Sequence, residues 1–360
     1  MLEGVYKMNR FYMKARTMVL RTKLGKALRY MMQMQSYKVD DAQKMVEQYF
    51  SELTEEDKKQ IVHDMMEEAK KYNVGFDEYI MYHFNERTFE DRRTFIPTKE
   101  RALYCERLNR PENQMIFDDK GKTFEVFKKY FKRDLAEVVG WNKESTAKLE
   151  EFVNKHPRFI IKPFNGGNGR GIKIVDCTGK AFNSLCEELK KDYPSGFVAE
   201  ELIKQCSELA AVHPQSVNTL RVFTVRFDDR IEFLPFAWRV GRGDSCVDNG
   251  GSGGIFCALN DEGEIIKTSD EKGRFYDVHP DTGHPLVGFK IPRFEEAKEF
   301  SKELAMVVPS NRYCGWDIAL TDDGWVMQEG NWQGGIVAFQ CPLQKGYRKE
   351  MDAIMEELNL

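Results

Sequence analysis

The spacing of apolar residues divides the chain into two parts of different texture. Before about residue 114 the apolar positions recur at helical intervals, as in KKQIVHDMMEEAKKY, which follows a capping pattern at Thr54 and Asp57 and ends before Gly75. Beyond that point short apolar runs alternate with helical stretches, which is typical of mixed helix and sheet. We therefore predict a helical N-terminal region over residues 1–113 and an α+β region after it.

Within the second part the pattern predicts short strands and a few helices. The predicted strands are RFIIKPF, GIKIVD, GFVAEELI, LRVFTVRF, RIEFLPFAWRV, GIFCAL, GWDIAL and GWVMQEGN. Helices are predicted for AFNSLCEELKKDY, for Phe294–Val307 and for the amphipathic tail KGYRKEMDAIMEELNL. The last two strands form a predicted hairpin, because the turn residues Thr321, Asp322, Asp323 and Gly324 lie between them.

Composition and charge narrow the class of protein. The chain of 360 residues carries a net charge of −4, which gives no overall attraction to nucleic acid or membrane. No apolar run reaches the roughly 18 residues needed to cross a bilayer. The eight cysteines show no CxxC and no metal-like spacing, so we expect reduced thiols in a cytoplasmic protein.

Residues 1–38 differ from the rest, since they carry nine Lys or Arg against one Glu. One interpretation is a solvated helical face, and the other is peripheral contact with an anionic membrane or an acidic partner. The segment lacks the continuous apolar core and small-residue cleavage site of a secretory signal. The sequence leaves the oligomeric state open.

A lysine followed by a glycine-rich stretch is the first pattern that indicates chemistry. Lys162 ends an apolar run, and the stretch from Asn165 to Gly171 separates it from a second such run. Glycines let backbone N–H groups approach phosphates, and a lysine ammonium supplies the charge that phosphates attract. The pattern is neither a Walker loop nor a Rossmann fingerprint, because a strand and not a helix follows. A flexible hairpin loop is the alternative interpretation.

The run GFVAEELI, further along, ends with Glu200 and Glu201. A strand leading into a linker can present a backbone carbonyl and N–H to an adenine ring. Glu200 would then accept from a ribose hydroxyl or from the adenine amine. A surface-edge strand with solvated acids is the alternative.

The predicted hairpin carries the most specific pattern. Asp317 lies in an otherwise apolar strand, and Glu329 and Asn331 are two residues apart on the next strand, so they share a face. Two carboxylates and an amide form the oxygen ligand set that Mg²⁺ prefers, with waters and nucleotide phosphates completing it. A carboxylate in an apolar strand is costly unless a cation or donors meet it, which disfavours the alternative of strand-edge acids in water.

In this order the motifs resemble those of the ATP-grasp superfamily, and the similarity covers nearly the whole chain. It implies an α+β ATP-grasp fold in which two α/β subdomains clasp ATP, with 114–202 as the small and lid subdomains and 203–360 as the C-terminal subdomain. It also implies ATP and Mg²⁺ as cofactors. The implied nucleotide-binding residues are Lys120 (with Lys122 as a close competitor), Lys162, Gly166, Gly167, Gly169, Gly171, Glu200 and Leu202, and the implied metal ligands are Asp317, Glu329 and Asn331.

A narrower similarity is to the sugar-transfer-associated ATP-grasp proteins, which occur with polysaccharide and cell-surface biosynthesis functions. The segments that carry it are HPQSVNTLRVFTV, VDNGGSGGI, HPDTGHPLVGFKIP and GWDIALTDDGWVMQEGN. One departure is NWQGG, where many ATP-grasp chains have Asn followed by a Pro-Gly turn. This departure leaves the metal ligands in place and affects the acceptor side.

Arg221 and Arg239 are the candidate catalytic residues. A guanidinium on a strand can hold a γ-phosphate or an acyl phosphate through two hydrogen bonds, although a strand-edge salt bridge is the alternative for each. A second glycine-rich loop, with Asp248 and Asn249, either closes over substrate or is a long β connection. His279 is a weaker candidate, since turn histidines seldom take part in chemistry.

Three functions fit these residues. The leading one is a ligase that joins a carboxylate to an amine through an acyl phosphate, with a small-molecule or glycan-linked substrate. The alternatives are a kinase that phosphorylates a small-molecule or sugar acceptor, and a non-catalytic partner of a glycosyl-transfer machinery. No nucleic acid partner is expected.

Overall fold

The structure is a computed structural model that describes residues 37–164 and 171–360. Residues 1–36 of the basic segment lie outside the described residues. The same holds for three glycines of the predicted lid loop, Gly166, Gly167 and Gly169.

Contacts within the chain divide it into two compact units, Met1–Glu86 and Arg87–Leu360. The predicted finer division, with boundaries after residues 113 and 202, stays a prediction.

The first unit is helical over its described part. Its helices are α1 (Val39–Tyr49), α2 (Glu55–Tyr72) and α3 (Phe76–Met81), followed by a 3₁₀ turn at Phe84–Glu86. Thr54 caps α2 by accepting a hydrogen bond from the Asp57 N–H, and Asn73 ends the helix in the left-handed conformation. The structure thus confirms the capping pattern predicted from the sequence.

The second unit contains the remaining helices. They are α4 (Phe89–Arg92), α5 (Thr98–Leu108), α6 (Gln114–Asp118), α7 (Lys120–Phe131), α8 (Lys143–Lys155), α9 (Phe182–Asp192), α10 (Ser207–Ala210), α11 (Phe294–Val307), α12 (Val337–Leu343) and α13 (Arg348–Glu357), with 3₁₀ turns at Pro111–Asn113 and Gly250–Ser252. Helix α11 has the predicted bounds, and α13 is the predicted tail helix. None of the described helices is long and apolar enough to cross a membrane.

A four-stranded antiparallel sheet, called here the small sheet, forms one part of the second unit. Its strands in spatial order are β1 (Leu135–Val139), β4 (Gly196–Glu201), β2 (Arg158–Pro163) and β3 (Lys173–Asp176). One face packs against α8 and α9 around Ile161 and Phe197. Lys162 and Glu200 alternate with these core residues and therefore lie on the opposite face.

A second antiparallel sheet, called here the large sheet, forms the other part. Its strands in spatial order are β11 (Gly324–Asn331), β10 (Tyr313–Thr321), β5 (Leu220–Arg226), β7 (Ala237–Val240), β8 (Ile255–Leu259) and β9 (Ile265–Asp270), with β6 (Ile231–Phe233) paired to β5. One face packs on α7 and α11 through a core that includes Trp238 and Trp316. The other face packs on α5, α12 and α13 around Phe223 and Phe339.

Strands β10 and β11 form the predicted hairpin, with an irregularity in its pairing. Thr321 pairs with Gly324, and counting back from this turn would place Gln328 opposite Asp317. A β-bulge just after Asp317 shifts the register by one residue, so Glu329 lies opposite Asp317 instead. Since residues paired across a sheet share a face, the bulge brings the two carboxylates to the same side.

The loop after β11 folds back on β10 through a contact between two glycines. A Cβ atom added to Gly334 would lie 2.7 Å from the Cα of Gly315. The Cα is backbone and cannot move aside as a flexible side chain can. Gly334 thus permits main chain to pack on main chain, close to Asn331 at the end of β11.

Gly334→Ala should lower the free energy of unfolding by about 1–3 kcal/mol, because the added methyl overpacks this backbone contact. Gly335→Ala is the matched control, since the atom nearest to its added Cβ lies 3.8 Å away. Urea unfolding of the two variants measures the difference. Equal stability of both variants would contradict the prediction.

Candidate functional site

A row of charged side chains crosses neighbouring strands of the large sheet. Asp317 on β10 pairs with Glu329 on β11 and with Arg221 on β5. Arg239 on β7 lies two residues from Ala237, the partner of Arg221, and therefore shares the same face. Asp317 and the two arginines are buried, whereas Glu329 is exposed. The row thus joins a buried ion-pair cluster to an open carboxylate on the edge strand.

Asp317 accepts hydrogen bonds from Arg221 and Asn331 and forms an ion pair with Arg239. Arg221 donates from Nε to Oδ1 and from Nη2 to Oδ2, the second bond at 2.9 Å. Arg239 Nη2 lies 3.1 Å from Oδ2, and Asn331 Nδ2 donates to the same oxygen at 3.3 Å. Burial alone would raise the pKa of Asp317, but the charges of the two arginines hold it below its ordinary value. This carboxylate is therefore ionised at neutral pH.

Asp248, from the second glycine-rich loop, contacts the other side of Arg239. It is buried and lies 3.2 Å from Arg239 Nη2. It also accepts from the Thr219 hydroxyl and, at 2.9 Å, from the Thr219 N–H. Burial raises the pKa of Asp248, and the nearby Arg239 charge only partly offsets this effect. Arg239 is consequently held between two carboxylates, which fixes its guanidinium beside Asp317.

The oxygens along this row fit a hard divalent cation. Oδ1 of Asp317 accepts one hydrogen bond and keeps a lone pair, whereas Oδ2 faces three donors. Asn331 turns its amide nitrogen toward Asp317, which leaves its own oxygen open. Within the described residues, no group donates a hydrogen bond to the exposed carboxylate of Glu329. Two carboxylate oxygens and an amide oxygen are the ligand types that Mg²⁺ binds.

A second buried carboxylate, Glu200, lies on the small sheet. Lys162 Nζ donates to its Oε2 at 2.9 Å, and Arg133 donates to the same oxygen from Nε at 3.2 Å and from Nη2 at 2.8 Å. All three bonds end on Oε2. Oε1 accepts no hydrogen bond from the part of the chain that the structure describes, so it is open to a donor on a ligand.

The charge state of Glu200 follows from these contacts. Burial would raise its pKa, but the charges of Lys162 and Arg133 outweigh burial and lower the pKa to about 2. Glu200 is therefore a fixed hydrogen-bond acceptor at neutral pH. An acceptor of this kind suits an amine on a ligand.

The other described residues that were predicted to bind nucleotide are on α7, after β4 and before β3. Lys120 is the first residue of α7, and Lys122 lies in the same turn. Leu202 directly follows β4. Gly171 has a φ of +74°, and its carbonyl accepts from the Tyr193 hydroxyl at 3.0 Å. Among the residues described, no hydrogen bond joins Lys120 or Leu202 to either cluster.

His279 has a structural role in the second unit. It is fully buried, its Nε2 lies 2.8 Å from the Gly241 carbonyl, and its Nδ1 accepts from the Asp281 N–H at 3.3 Å. Burial lowers the pKa of His279, as suits a neutral ring that donates on one side and accepts on the other. The ring thus holds the backbone at Gly241, two residues after Arg239.

Arg133 is a site residue that sequence reasoning missed. It follows α7 in the basic run KKYFKR, whose lysines look like an ordinary solvated surface. Its partner Glu200 lies 67 positions later in the chain. No local signal identifies such a pair, because only the fold brings the two residues together.

Comparison with known proteins was made by family, by sequence and by structure. A family model described as sugar-transfer-associated ATP-grasp matches residues 99–356. A search of curated proteins found no match.

Solved structures that resemble this chain include three ligases or synthetases. The ATP-grasp ligase PsnB, complexed with a phosphomimetic variant of a minimal precursor, Mg and ADP, is 14% identical with a TM-score of 0.43, over 72% of this chain and 66% of its own. D-alanyl-alanine synthetase A from Vibrio cholerae is 12% identical with a TM-score of 0.43, over 69% and 67%. D-alanine–D-alanine ligase from Helicobacter pylori is 15% identical with a TM-score of 0.44, over 69% and 64%. The chain thus spans about two thirds of the length of these neighbours.

Glu200→Gln should change how stability depends on pH. The folded carboxyl has its pKa lowered from 4.5 to about 2, so its stabilising contribution is complete above pH 4.5 and is lost as pH falls toward 2. The stability gap between wild type and the variant should therefore shrink by about 2 kcal/mol between pH 5 and pH 3. Urea unfolding at several pH values measures that gap.

Glu201→Gln is the control, since it neutralises the next residue of the same strand, whose side chain is 40% exposed. A gap between wild type and Glu200→Gln that stays constant over this pH range would contradict the prediction.

Proposed function

This chain belongs to the sugar-transfer-associated ATP-grasp family, as its motifs predicted, and on that premise we propose that it is an Mg²⁺- and ATP-dependent ligase. The reaction joins a carboxylate to an amine, or to a similar nucleophile, through an acyl phosphate. The observation that carries the proposal is the pair of buried arginines beside the candidate metal ligands on one face of the large sheet. Phosphoryl transfer needs this combination of fixed positive charge and metal-binding oxygens.

The small sheet supplies the nucleotide side of the proposal. Glu200 accepts a hydrogen bond from the adenine amine at its open Oε1, and the backbone of Leu202 contacts the edge of the ring. Lys162, Lys120 and the loop 166–171 hold the phosphates. Because Lys162 Nζ lies 2.9 Å from Glu200 Oε2, the phosphates compete with that carboxylate for the ammonium.

The hairpin supplies the metal side. Asp317 offers Oδ1, Asn331 offers its amide oxygen, and Glu329 offers a carboxylate without a hydrogen-bonding partner among the described residues. When bound there, Mg²⁺ neutralises charge on the β- and γ-phosphates and orients them.

The arginines supply charge to the transferring phosphoryl group. Arg221 donates from Nε and Nη2 to Asp317. Arg239 donates from Nε and Nη2 to the Thr219 hydroxyl, and its Nη2 also forms ion pairs with Asp317 and Asp248. In each guanidinium the Nη1 group donates to no described residue, so it is open to a phosphoryl or acyl phosphate oxygen. The carboxylates hold both groups in place beforehand, so little reorganisation is needed during the reaction.

The acids of the site favour a ligase over a kinase. A kinase that phosphorylates a hydroxyl needs a carboxylate to accept the hydroxyl proton. Asp317 and Asp248 are both paired with guanidinium groups, and Glu329 is assigned to the metal. A carboxylate substrate is already ionised at neutral pH and needs no base to attack the γ-phosphate. The amine attacks next as its free base, and the proton that it loses when the amide forms leaves with the departing phosphate.

The substrate is proposed to be a small-molecule or glycan-linked carboxylate in cell-surface polysaccharide or related biosynthesis. The support for this is the sugar-transfer association in the description of the family. Peripheral membrane contact through the basic residues 1–38 stays a proposal drawn from the sequence, as does the absence of a nucleic acid partner.

A hydroxylamine trapping assay tests the ligase directly. With ATP, Mg²⁺ and a panel of sugar acids and amino acids, ADP release should require a carboxylate, because the carboxylate is the first nucleophile. Hydroxylamine should capture the acyl phosphate as a hydroxamate, detected by mass spectrometry. A stable phosphorylated product, formed without any hydroxamate, would support the kinase and overturn the ligase.

Glu329→Gln should lower Mg²⁺-dependent ADP release on the order of 10²-fold, since loss of a charged ligand weakens charge neutralisation by several kcal/mol. Its thermal stability should stay that of the wild type, because the side chain is exposed. Asp323→Asn, in the turn of the same hairpin, is the control and should keep full activity. Undiminished ADP release by Glu329→Gln would overturn the assignment of Glu329 as a metal ligand.

A further inference from the structure

Arg133 is a buried arginine that contacts both sheets of the second unit. It lies between α7 and β1, and its side chain is 4% exposed. Toward the small sheet its Nε and Nη2 donate to Glu200. Toward the large sheet its Nη1 donates to the Met327 carbonyl on β11 at 2.6 Å. One guanidinium therefore joins the proposed adenine side of the site to the strand that carries Glu329.

The carbonyl that Arg133 contacts lies at the bulge of the hairpin. Counting from the turn, the regular pairing of the hairpin ends at Met327, which lies opposite Ile318. The next pair along the hairpin is Asp317 with Glu329. Gln328, between them, has no partner across the hairpin. A bulge interrupts the ladder of hydrogen bonds, so a donor from outside the ladder stabilises the bulged backbone.

This bulge determines which side chain faces Asp317. In regular register Gln328 would be opposite Asp317, and Glu329 would alternate to the other face of the sheet. The metal-binding arrangement of the two carboxylates thus depends on one backbone irregularity. Arg133 donates to the carbonyl of Met327, the residue where that irregularity begins.

The guanidinium of Arg133 is rigidly placed. It lies over the Phe131 ring, 4.6 Å from the ring centre, and Nη1 also donates to the Phe131 carbonyl at 3.3 Å. A planar guanidinium has its donors in a fixed fork, so it cannot shift toward Glu200 without also shifting from Met327. A displacement at one end is therefore transmitted to the other.

We propose that Arg133 is a positioning residue that couples Glu200 to the bulge that presents Glu329, so that adenine binding and metal binding favour each other. The inference rests on the proposed function, since it takes the adenine to Glu200 and Mg²⁺ to Glu329. The coupling is reciprocal, because each ligand favours the one geometry in which Arg133 holds both ends. When the phosphates draw Lys162 away, Arg133 remains as the cation beside Glu200.

Two substitutions separate the parts of this role. Arg133→Met removes every donor and keeps much of the stem. Arg133→Lys keeps the positive charge beside Glu200, but a single ammonium cannot reproduce the fork that spans Glu200 and Met327. If Arg133 acts only through its charge, Arg133→Lys should keep the wild-type effect of Mg²⁺ on ADP affinity. If Arg133 couples the two ends of the site, Arg133→Lys should lose much of that effect.

Arg312→Met is the matched control. Arg312 donates to the Arg226 carbonyl at 3.0 Å and to the Asp228 carboxylate at 2.7 Å, at the end of the large sheet away from the site. It therefore also joins a strand carbonyl to a carboxylate. Its loss reports the general effect of removing such an arginine from this sheet.

Calorimetric titration of the full chain measures both parts, with adenosine in EDTA and with ADP in EDTA or in Mg²⁺. Adenosine lacks phosphates, so its affinity reports the adenine side of the site, which includes Glu200, without the metal side. We expect Arg133→Met to weaken adenosine binding at least about fivefold, and Arg133→Lys to stay within about twofold of wild type. The factor by which Mg²⁺ tightens ADP binding should fall at least about fivefold in both variants. Chelation of Mg²⁺ by free ADP is the same for every variant and cancels in this comparison.

The outcomes separate this inference from the proposed function. A wild-type chain that binds neither adenosine nor ADP overturns both. If wild type binds and the Mg²⁺ factor is unchanged in Arg133→Lys and Arg133→Met, the coupling alone is overturned. An equal loss in Arg312→Met also overturns it, because the effect would then be general to the sheet.

Discussion

The pairing of Asp317 with Arg221 and Arg239 is the interaction on which the candidate site depends. An ionised carboxylate buried in an apolar strand costs several kcal/mol unless donors meet it closely. Here the donors come from β5 and β7, so the register of these strands with β10 must place the guanidinium groups within hydrogen-bonding distance. Asp248 then balances Arg239 from the loop beyond β7. The charges are mutually required, and this requirement makes the cluster rigid.

The same requirement shapes the small sheet, where Glu200 is buried and ionised beside Lys162 and Arg133. In both sheets the donors crowd one oxygen of the carboxylate. Oε2 of Glu200 and Oδ2 of Asp317 each face three donor groups, while the other oxygen faces one or none among the described residues. The charge of a carboxylate held in this way is balanced by its neighbours, and its other oxygen can still accept a hydrogen bond or bind a cation. Ligand binding needs this state.

Features that rest on residues close together in the sequence were predicted, and features that depend on residues brought together by the fold were missed. The helix Phe294–Val307 and the turn of the hairpin rest on local patterns, and the structure has both. The bulge could not be predicted from the sequence, since counting from the turn places Gln328 opposite Asp317. For Arg221 the sequence left a choice between a phosphate-binding group and a strand salt bridge. The structure shows the salt bridge through Nε and Nη2 and leaves Nη1 open, so the two interpretations do not exclude each other.

Under the proposed function, the balance of charge along the large sheet favours the metal-bound form of the nucleotide. Two guanidinium groups face three carboxylates, Asp248, Asp317 and Glu329, so the row has an excess of negative charge. The buried acids are within reach of the arginines, but Glu329 lies on the edge strand without a hydrogen-bonded cation among the described residues. A bare triphosphate would meet that carboxylate as a like charge. A divalent cation between them replaces this repulsion with attraction, so the unpaired acid makes phosphate binding stronger when the metal is present.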